Sequence, residues 1–411
     1  MKTTPKSLRL HIGIFGRTNT GKSSLLNLLS GQDAALVSAI AGTTTDTVEK
    51  TMELLPVGPV VFLDTAGLDD PTALGAARVS RTEKALDRAD VMLLVVEGDS
   101  WGGFEDRIAA ESLAKNAPLI VAVNKTDLIP LSDAVQAKLE NRRYFTVSCA
   151  PGTDRDPYLR RFKELLIECV PEDFIAPPPI LGDLVPKNGL AALVIPIDSQ
   201  APKGRIILPQ VQAIRDALDN ACACAIARET QYPLLLQRLN TPPDLVVCDS
   251  QAVDRVARDT PVCVKVTTFS ILFARLKADL DEMAANTAAL DRLKPGARVL
   301  VSESCSHHPV EEDIGRRKIP RWLSEKIGGE LRFDTACGRD FPDNLDDYSL
   351  IIQCGGCMQT RRDMLLRLSR AKKANVPITN YGLAISWSKN VLERVLEPFP
   401  SALAAYRAAA G

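Results

Sequence analysis

The chain has 411 residues, which at roughly 150 residues per domain corresponds to two or three domains. Apolar residues make up 45% and charged residues 25%, a composition that excludes a disordered chain, a collagen-like repeat and a disulfide-dense miniprotein. The 50 Lys and Arg residues against 51 Asp and Glu residues leave a net charge of −1. Nucleic-acid binding usually requires a basic excess, which is missing here.

Two further features concern membranes and export. No apolar stretch reaches the roughly 18 residues that a membrane span needs. The N-terminal segment carries basic residues but lacks the long apolar region and cleavage site of a signal peptide. We therefore expect a cytoplasmic protein without a nucleic-acid or membrane partner.

Apolar runs and amphipathic helical patterns alternate along the chain, which indicates an α/β fold. In residues 1–172, continuous apolar strands between helices predict a parallel sheet covered on both faces. Residues 173–189 are rich in proline, which interrupts helices and strand ladders, and this predicts a linker. Residues 190–262 form a short strand–helix–strand pattern that needs a neighbour or a second copy to complete its core. The alternation of apolar runs and helical patterns in residues 263–411 predicts a further α/β unit.

The segment GRTNTGKS, from Gly16 to Ser23, fits the phosphate-binding pattern G-x-x-x-x-G-K-[ST]. It stands between an apolar strand and a helix predicted over 22–30. The glycines allow backbone N–H groups to wrap around phosphates, and the helix N-terminus favours negative charge. Lys22 would bridge the β- and γ-phosphates, and the hydroxyl of Ser23 would ligate Mg²⁺. The segment therefore predicts a nucleoside triphosphate site.

Three later segments add the metal and the base. Asp64, in DTAG, would hold Mg²⁺ from its second shell, and the N–H of Gly67 would meet the γ-phosphate. The carboxylate of Asp127, in NKTD, would accept two hydrogen bonds from guanine. Adenine lacks that donor pair and would leave the carboxylate unpaired. A backbone N–H of VSCA, residues 147–150, would bind the guanine O6. Together the segments predict a GTP-binding domain.

The loop AGTTTD, residues 41–46, resembles the switch I loop of the TrmE–Era class of GTPases, whose members often use K⁺ in place of an arginine finger. The resemblance implies that Asn19 and Thr43 lie near K⁺ and that Thr44 ligates Mg²⁺. Leu68 stands where Ras-like enzymes keep a water-positioning Gln. Hydrolysis must therefore be organised in another way or be slow.

The expected GTPase site has a catalytic and a binding part. Catalysis is expected to depend on Lys22, Ser23, Asp64 and Asn19. The residues expected to contact GTP are Gly16, Arg17, Thr18, Asn19, Thr20, Gly21, Lys22, Ser23, Ser24, Thr44, Asp64, Gly67, Asn124, Lys125, Asp127, Ser148, Cys149 and Ala150.

Three of the ten cysteines lie in two short segments, CSHH at Cys305 and CGGC at Cys354 and Cys357. Both segments follow apolar runs, so parallel strands would bring them to the same carboxyl edge of a sheet. Cys357 is expected to begin the next helix, whose N-terminus would favour a thiolate. Three thiolates suit zinc with His307 as fourth ligand, or an iron–sulfur cluster completed by His307, Glu312 or an exchangeable ligand. Ordinary thiols are the third reading, which leaves the two adjacent histidines unexplained.

The order of these segments resembles the HydF family, the maturation GTPases of [FeFe]-hydrogenase, along the whole chain. The matching stretches are GTTTD, DSQAV, TTFSILFARLKADL and SHHPVEEDIGRRKIPRWL. The resemblance implies a [4Fe–4S] cluster on Cys305, Cys354 and Cys357. Gln353 stands where the family often has a histidine, so the fourth ligand is left open between His307 and other groups such as Glu312.

The resemblance also implies a function and an architecture. The protein would receive a transient di-iron precursor from radical-SAM maturases and pass it to apo-[FeFe]-hydrogenase, with the GTP state gating partner binding. The implied parts are a GTPase domain (1–172), a linker (173–189), a homodimer-forming domain (190–262) and a cluster-binding domain (263–411). The alternative is a TrmE–Era-like GTPase in RNA modification or ribosome assembly with a structural zinc site. The net charge and the aromatic content of 5% disfavour it.

Overall fold

A computed structural model of the chain describes residues 9–31, 48–55, 57–64, 83, 85–170, 178–197, 206–304, 313–338 and 341–411. The chain divides into two compact units, Met1–Pro177 and Pro178–Gly411. None of the described helices combines the length and the hydropathy that crossing a membrane requires.

The first unit is built on one six-stranded sheet. Its strands are β1 (Leu10–Phe15), β2 (Val48–Leu54), β3 (Gly58–Asp64), β4 (Val91–Glu97), β5 (Leu119–Asn124) and β6 (Arg143–Thr146). Its helices are α1 (Lys22–Ser30), α2 (Gly103–Ala114), α3 (Asp133–Leu139) and α4 (Asp156–Cys169). The strand order is β2-β3-β1-β4-β5-β6, and β2 runs antiparallel to β3 while the other pairs are parallel.

The central strand of this sheet is covered on both faces. All six residues of β1 are buried, and successive side chains of a strand point to opposite faces. Ile12 and Ile14 belong to one core cluster, whereas Phe15 belongs to a second. The predicted α/β class, the doubly covered sheet and the helix over 22–30 are confirmed. The predicted parallel sheet is correct except at β2, which runs antiparallel to β3.

The second unit contains two parallel sheets. The middle sheet consists of β7 (Leu190–Val194), β8 (Ala223–Ala227), β9 (Leu245–Cys248) and β10 (Lys265–Thr268), in the order β10-β9-β7-β8. The C-terminal sheet consists of β11 (Arg298–Ser302), β12 (Arg332–Ala336), β13 (Leu350–Gln353) and β14 (Ile378–Asn380), in the order β12-β11-β13-β14.

Helices surround both sheets of this unit. They are α5 (Leu208–Asp219), α6 (Tyr232–Arg238), α7 (Val253–Asp259), α8 (Phe269–Lys277), α9 (Leu280–Thr287), α10 (Ile319–Ile327), α11 (Arg361–Lys373), α12 (Tyr381–Ser388), α13 (Leu392–Leu396) and α14 (Pro400–Ala410). Buried residues of both sheets, such as Val247 and Ile351, belong to a single continuous hydrophobic cluster. The two sheets therefore share one core.

The structure moves two of the predicted boundaries. Strand β10 pairs with β9, so the middle sheet continues past residue 262, where the sequence analysis ended the domain. The described part of the predicted linker, from Pro178 onward, packs on the second unit. The backbone N–H groups of Leu181 and Gly182 donate to the carboxylate of Asp216 at 2.8 and 2.9 Å, and Leu181 is fully buried. Apolar residues between the prolines thus anchor a segment whose proline content predicts a spacer.

Candidate functional site

The loop between β1 and α1 has the shape of a phosphate cradle. Asn19 and Gly21 have φ angles of 65° and 89°, the left-handed conformation that turns the chain into the helix. The ammonium group of Lys22 is buried and donates to the carbonyl oxygens of Gly16 and Arg17 at 2.8 and 2.6 Å. A positive charge and the N-terminus of α1 are therefore held in one anion-binding loop.

Asn124 ties this loop to the end of β5. Its amide nitrogen donates to the carbonyl oxygen of Thr20 at 2.9 Å, and the side chain is buried. A Cβ atom at Gly21 would lie 2.2 Å from the same nitrogen, so only glycine permits the approach. The first residue of NKTD therefore positions the phosphate loop.

The guanine-selecting segments meet at the ends of β5 and β6. The hydroxyl of Thr126 donates to the carbonyl oxygen of Val147 at 3.1 Å, which joins NKTD to VSCA. The Nζ atom of Lys125 lies 2.5 Å from a carboxylate oxygen of Glu97, and Asp127 is exposed and accessible to a base. Burial, with a smaller effect from the charge of Asp127, raises the pKa of the Cys149 thiol to about 11. Cys149 is therefore a neutral thiol here, which is consistent with a backbone role.

The remaining phosphate-loop residues surround the start of α1, where Thr18, Ser23 and Ser24 are exposed. In VSCA, the N–H of Ala150 donates to Ser148 Oγ at 3.3 Å. The strand β3 ends at Asp64, but its side chain and the predicted contacts from Thr43, Thr44 and Gly67 lie outside the described residues.

One partner of the phosphate loop has no counterpart in the sequence prediction. Arg17 forms a two-pronged ion pair with Glu105, with nitrogen–oxygen distances of 2.9 and 2.6 Å. Glu105 is 1% exposed and also accepts a hydrogen bond from the N–H of Gly102 at 2.7 Å. Glu105 has a local sequence signal, since it stands three residues after Gly102, the N-cap of α2. Its arginine partner is 88 positions away, which local patterns do not reveal.

The strands that precede the two cysteine segments end side by side at one edge of the C-terminal sheet. Strands β11 and β13 are parallel neighbours in which Ser302 lies opposite Gln353. Cys354 directly follows β13, and its sulfur is 3.1 Å from the N–H and 2.8 Å from the hydroxyl of Ser304. The expected parallel pairing of the two strands is confirmed, whereas the positions of Cys305, His307 and Glu312 lie outside the described residues.

Cys357 does not begin a helix, contrary to the sequence prediction. Helix α11 starts at Arg361 with Thr360 as its N-cap, and Cys357 lies in the preceding turn. Burial raises the pKa of the Cys357 thiol, and the charge of Cys354 adds to this effect while Lys277 opposes it. A thiolate at Cys357 therefore needs stabilisation by a neighbouring positive charge or a metal.

One further cysteine, Cys337, borders this edge. Cys337 directly follows β12, where its sulfur lies 2.8 Å from a guanidinium nitrogen of Arg316 and 3.5 Å from Glu303. Within the parts of the chain that the structure describes, no three His, Cys, Asp or Glu side chains form a group that could hold a metal ion. Cys354 and Cys357 contribute half-buried thiols at the edge, and thiols are soft ligands suited to zinc or an iron–sulfur cluster.

Replacing the asparagine that holds the phosphate loop tests this geometry. We expect Asn124→Ala to weaken GTP binding about tenfold to a hundredfold, because a lost buried hydrogen bond costs about 1–3 kcal/mol. Titration with a fluorescent GTP analogue measures the change, and Asn141→Ala, in an exposed turn, is the matched control. Equal affinities of Asn124→Ala and the wild type for GTP would contradict the role of Asn124 in holding the phosphate loop.

Part of the chain is similar to curated tRNA modification GTPases. It is 36% identical over 151 residues to MnmE of Endomicrobium trichonymphae, which covers 35% of this chain and 32% of that protein. It is 46% identical over 127 residues to MnmE of Roseiflexus castenholzii, covering 30% and 26%. The chain thus spans about a third or less of the length of these relatives.

Solved structures that resemble the chain include GTPases. Era of Aquifex aeolicus, bound to GDP and aluminium fluoride, matches 56% of this chain and 98% of its own at 21% identity and a TM-score of 0.32. The G domain of the FeoB iron transporter of T. maritima matches 40% and 99% at 20% identity and a TM-score of 0.31.

Family models match all three parts of the chain. Residues 11–125 match a 50S ribosome-binding GTPase domain. Residues 180–278 match the hydrogen maturase F dimerization domain, and residues 281–398 match the hydrogen maturase F tetramerization domain. The two maturase models together span just over half of the chain and meet just after α8. The chain therefore belongs to the hydrogen maturase F family, with a P-loop GTPase domain ahead of the two maturase domains.

Proposed function

We propose that this protein is a GTP-hydrolysing scaffold that carries an iron–sulfur cluster and assembles a di-iron precursor for [FeFe]-hydrogenase. The observation that carries the proposal is the parallel pairing of β11 with β13, which brings Ser304, the residue before Cys305, into contact with the sulfur of Cys354. The family membership and the phosphate loop support the hydrogenase and GTPase parts.

The phosphate loop supports GTP binding with Mg²⁺. Lys22 would move from the loop carbonyls to the β- and γ-phosphates, while Ser23 and Thr44 would ligate Mg²⁺ and Asp64 would hold its water ligands. Asp127 would select guanine. Hydrolysis would then release the loops that contact the γ-phosphate.

At the cysteine edge, Cys354, Cys357 and Cys305 would hold a [4Fe–4S] cluster. His307 or Glu312 would supply the fourth ligand, since both belong to the segment that begins at Cys305. When bound, the cluster would supply an iron site that can accept the di-iron precursor. Radical-SAM maturases would deliver this precursor, apo-[FeFe]-hydrogenase would take it up, and the GTP state would time these encounters.

Separate variants test whether the two sites work independently. Cys354→Ser should lose most of the bound iron and acid-labile sulfide but keep its rate of GTP hydrolysis, because it removes a thiolate remote in sequence from the phosphate loop. Lys22→Ala should lose GTP hydrolysis and keep the iron. Metal and sulfide analysis of anaerobic protein and a phosphate-release assay give the two readings.

An unchanged iron content in Cys354→Ser would contradict the cluster assignment. Cys222→Ser, which alters a buried cysteine of the middle domain, is the matched control and should retain both the bound iron and the rate of GTP hydrolysis.

Asn19 supports the use of K⁺ in hydrolysis, because it is an exposed side chain on the phosphate loop. We expect the wild type to hydrolyse GTP faster in KCl than in NaCl at equal ionic strength. Asn19→Ala should lose most of that difference while keeping the rate measured in NaCl. Phosphate release in the two salts is the measurement, and equal rates of the wild type in both would contradict a potassium site.

The edge of the middle sheet supports a homodimer. Strand β8 is the last described strand on its side, and its sequence ACAIA carries no charge to prevent edge pairing. Ile226 on β8 is 49% exposed, and α5 adds Val211 and Leu218 at 47% and 61%. We propose that two copies pair through β8, which would join their middle sheets.

A charge on the edge strand tests this interface. Ile226→Lys should reduce the mass of the assembly in solution by half, because an unpaired lysine in a strand interface is destabilising. Light scattering after size exclusion is the measurement, with Val262→Lys, at another exposed apolar position of the unit, as the control. An unchanged mass of Ile226→Lys would place the interface elsewhere.

A zinc-containing GTPase that acts on RNA is the second candidate. The similarity to tRNA modification GTPases favours it, but that similarity covers only 35% and 30% of this chain in the two relatives described above. The maturase family models cover most of the second unit, and they favour the scaffold.

A further inference from the structure

Two buried positive charges lie beside the cysteine pair. Lys277 is 2% exposed and Arg367 is 5% exposed. Among the residues that the structure describes, no Asp or Glu oxygen lies within ion-pair distance of either side chain. Buried Lys and Arg residues are nearly always paired with an acidic group, because an uncompensated charge in the interior is strongly destabilising. The pair therefore needs a source of negative charge.

Lys277 points into the loop that carries the cysteines. It is the last residue of α8, and its ammonium group donates to the carbonyl oxygens of Gly356 and Gln359, both at 2.8 Å. A third, longer contact of 3.4 Å reaches the carbonyl oxygen of Cys357. All three acceptors are neutral, so they satisfy the hydrogen bonds of the lysine but not its charge.

Arg367 lies beneath the strand ends from which the cysteine segments emerge. One guanidinium nitrogen donates to Ser302 Oγ at 2.7 Å and to Gln353 Oε1 at 2.9 Å. The other donates to the carbonyl oxygen of Gly338 at 2.6 Å, and the group lies 5.1 Å from the ring centre of Phe341. These acceptors are also neutral.

The phosphate loop offers a comparison within the same chain. Lys22 is likewise buried and donates to two carbonyl oxygens of a glycine-containing loop. That arrangement belongs to a site for an anion. Lys277 repeats it at the cysteine loop.

The geometry places the cysteines next to both cations. Lys277 contacts the backbone of Cys357, and Gln353, which accepts from Arg367, lies 3.6 Å from the sulfur of Cys354 through its amide nitrogen. Burial lowers the pKa of Lys277 to about 8, and negative charge on Cys357 and Cys354 would act in the opposite direction. Burial also lowers the pKa of Arg367, again opposed first by Cys354. Asp363 acts on both cations more weakly, and its carboxylate is engaged in the cap of α11.

Arg316, another cation near this edge, differs from Lys277 and Arg367 because it has an acidic partner. Its guanidinium lies 3.3 Å from the carboxylate of Glu303 and is therefore compensated within the protein. Lys277 and Arg367 are the cations whose compensation has to come from the thiolates and from what they bind.

We propose that Lys277 and Arg367 are positioning residues that provide the positive counter-charge for a thiolate-bound cluster on Cys354 and Cys357 and thereby raise its reduction potential. The inference depends on the cluster assignment made above. Three thiolates outweigh the charge of a [4Fe–4S] core, and the excess of negative charge grows when the cluster accepts an electron. Fixed cations in a water-poor site stabilise the reduced cluster more than the oxidised one.

The placement of Lys277 extends the proposal to the two maturase domains. It belongs to the stretch TTFSILFARLKADL and to the segment matched by the dimerization domain, whereas the cysteine loop lies in the segment matched by the tetramerization domain. One domain thus contributes a charge to the cluster site of the other.

A reduction titration of the intact protein tests the proposal. Dithionite is added to anaerobic wild-type protein, Lys277→Met and Arg367→Met in the presence of mediator dyes, and the EPR signal of the reduced cluster is followed against potential. Both variants should have more negative midpoint potentials than the wild type, and the double variant should have the most negative one. Arg367→Lys, which keeps the charge, should stay closer to the wild type than Arg367→Met. Lys373→Met, which removes an exposed charge from the same helix, should not shift the potential.

The outcomes separate this inference from the cluster assignment. A wild type without iron and sulfide would overturn the assignment itself. A cluster whose potential is unchanged in both methionine variants would overturn only the counter-charge role, as would equal shifts in Arg367→Lys and Arg367→Met. Methionine variants that fold but hold less iron than Lys373→Met would support the role, because the thiolate site would then fail to form without the cation.

Discussion

The parallel pairing of β11 with β13 is the constraint on which the proposed chemistry depends. It places Ser302 opposite Gln353, so that Cys354 and the segment leading to Cys305 leave the sheet side by side. A shift in register would separate them, because neighbouring strand ends would no longer coincide. The two segments are far apart in sequence, and only the sheet brings them together. The first unit uses the same arrangement, since the phosphate loop and NKTD follow β1 and β5 and meet through Asn124.

Both sites hold a buried ammonium group against the carbonyl oxygens of a loop. At the phosphate loop, Lys22 occupies this position, and at the cysteine loop Lys277 does. Loop carbonyls satisfy the hydrogen bonds of a lysine and hold its ammonium group in the loop. In the first case, the phosphates of GTP would be the anion that this group meets. In the second, the thiolates and the group they carry would have this role.

Much of the fold could be predicted from the sequence because local patterns determine it. Continuous apolar runs predicted the buried strands such as β1, and the glycine-lysine motif predicted α1. The domain limits were less accessible, since the pairing of β10 with β9 and the burial of Leu181 depend on distant contacts.

The same limit applies to the two sites: local motifs could be predicted, whereas contacts between residues distant in sequence could not. Motif spacing predicted the shared edge of the cysteine segments. It could not predict Glu105 beside Arg17 or Arg367 beneath Gln353, because these partners are adjacent only in the folded chain. The sequence also suggested a helix start at Cys357, whereas Thr360 caps α11 instead. The two glycines before Cys357 are compatible with a helix start at Cys357 and with a further turn before the helix. The pattern of apolar residues therefore could not locate the N-cap of α11.

The most direct test of the central claim is the metal content of the wild-type protein purified without oxygen. We expect roughly four iron atoms and four acid-labile sulfides per chain, with an S = 1/2 EPR signal after reduction by dithionite. About one zinc per chain without sulfide would contradict it and would favour the zinc-containing GTPase.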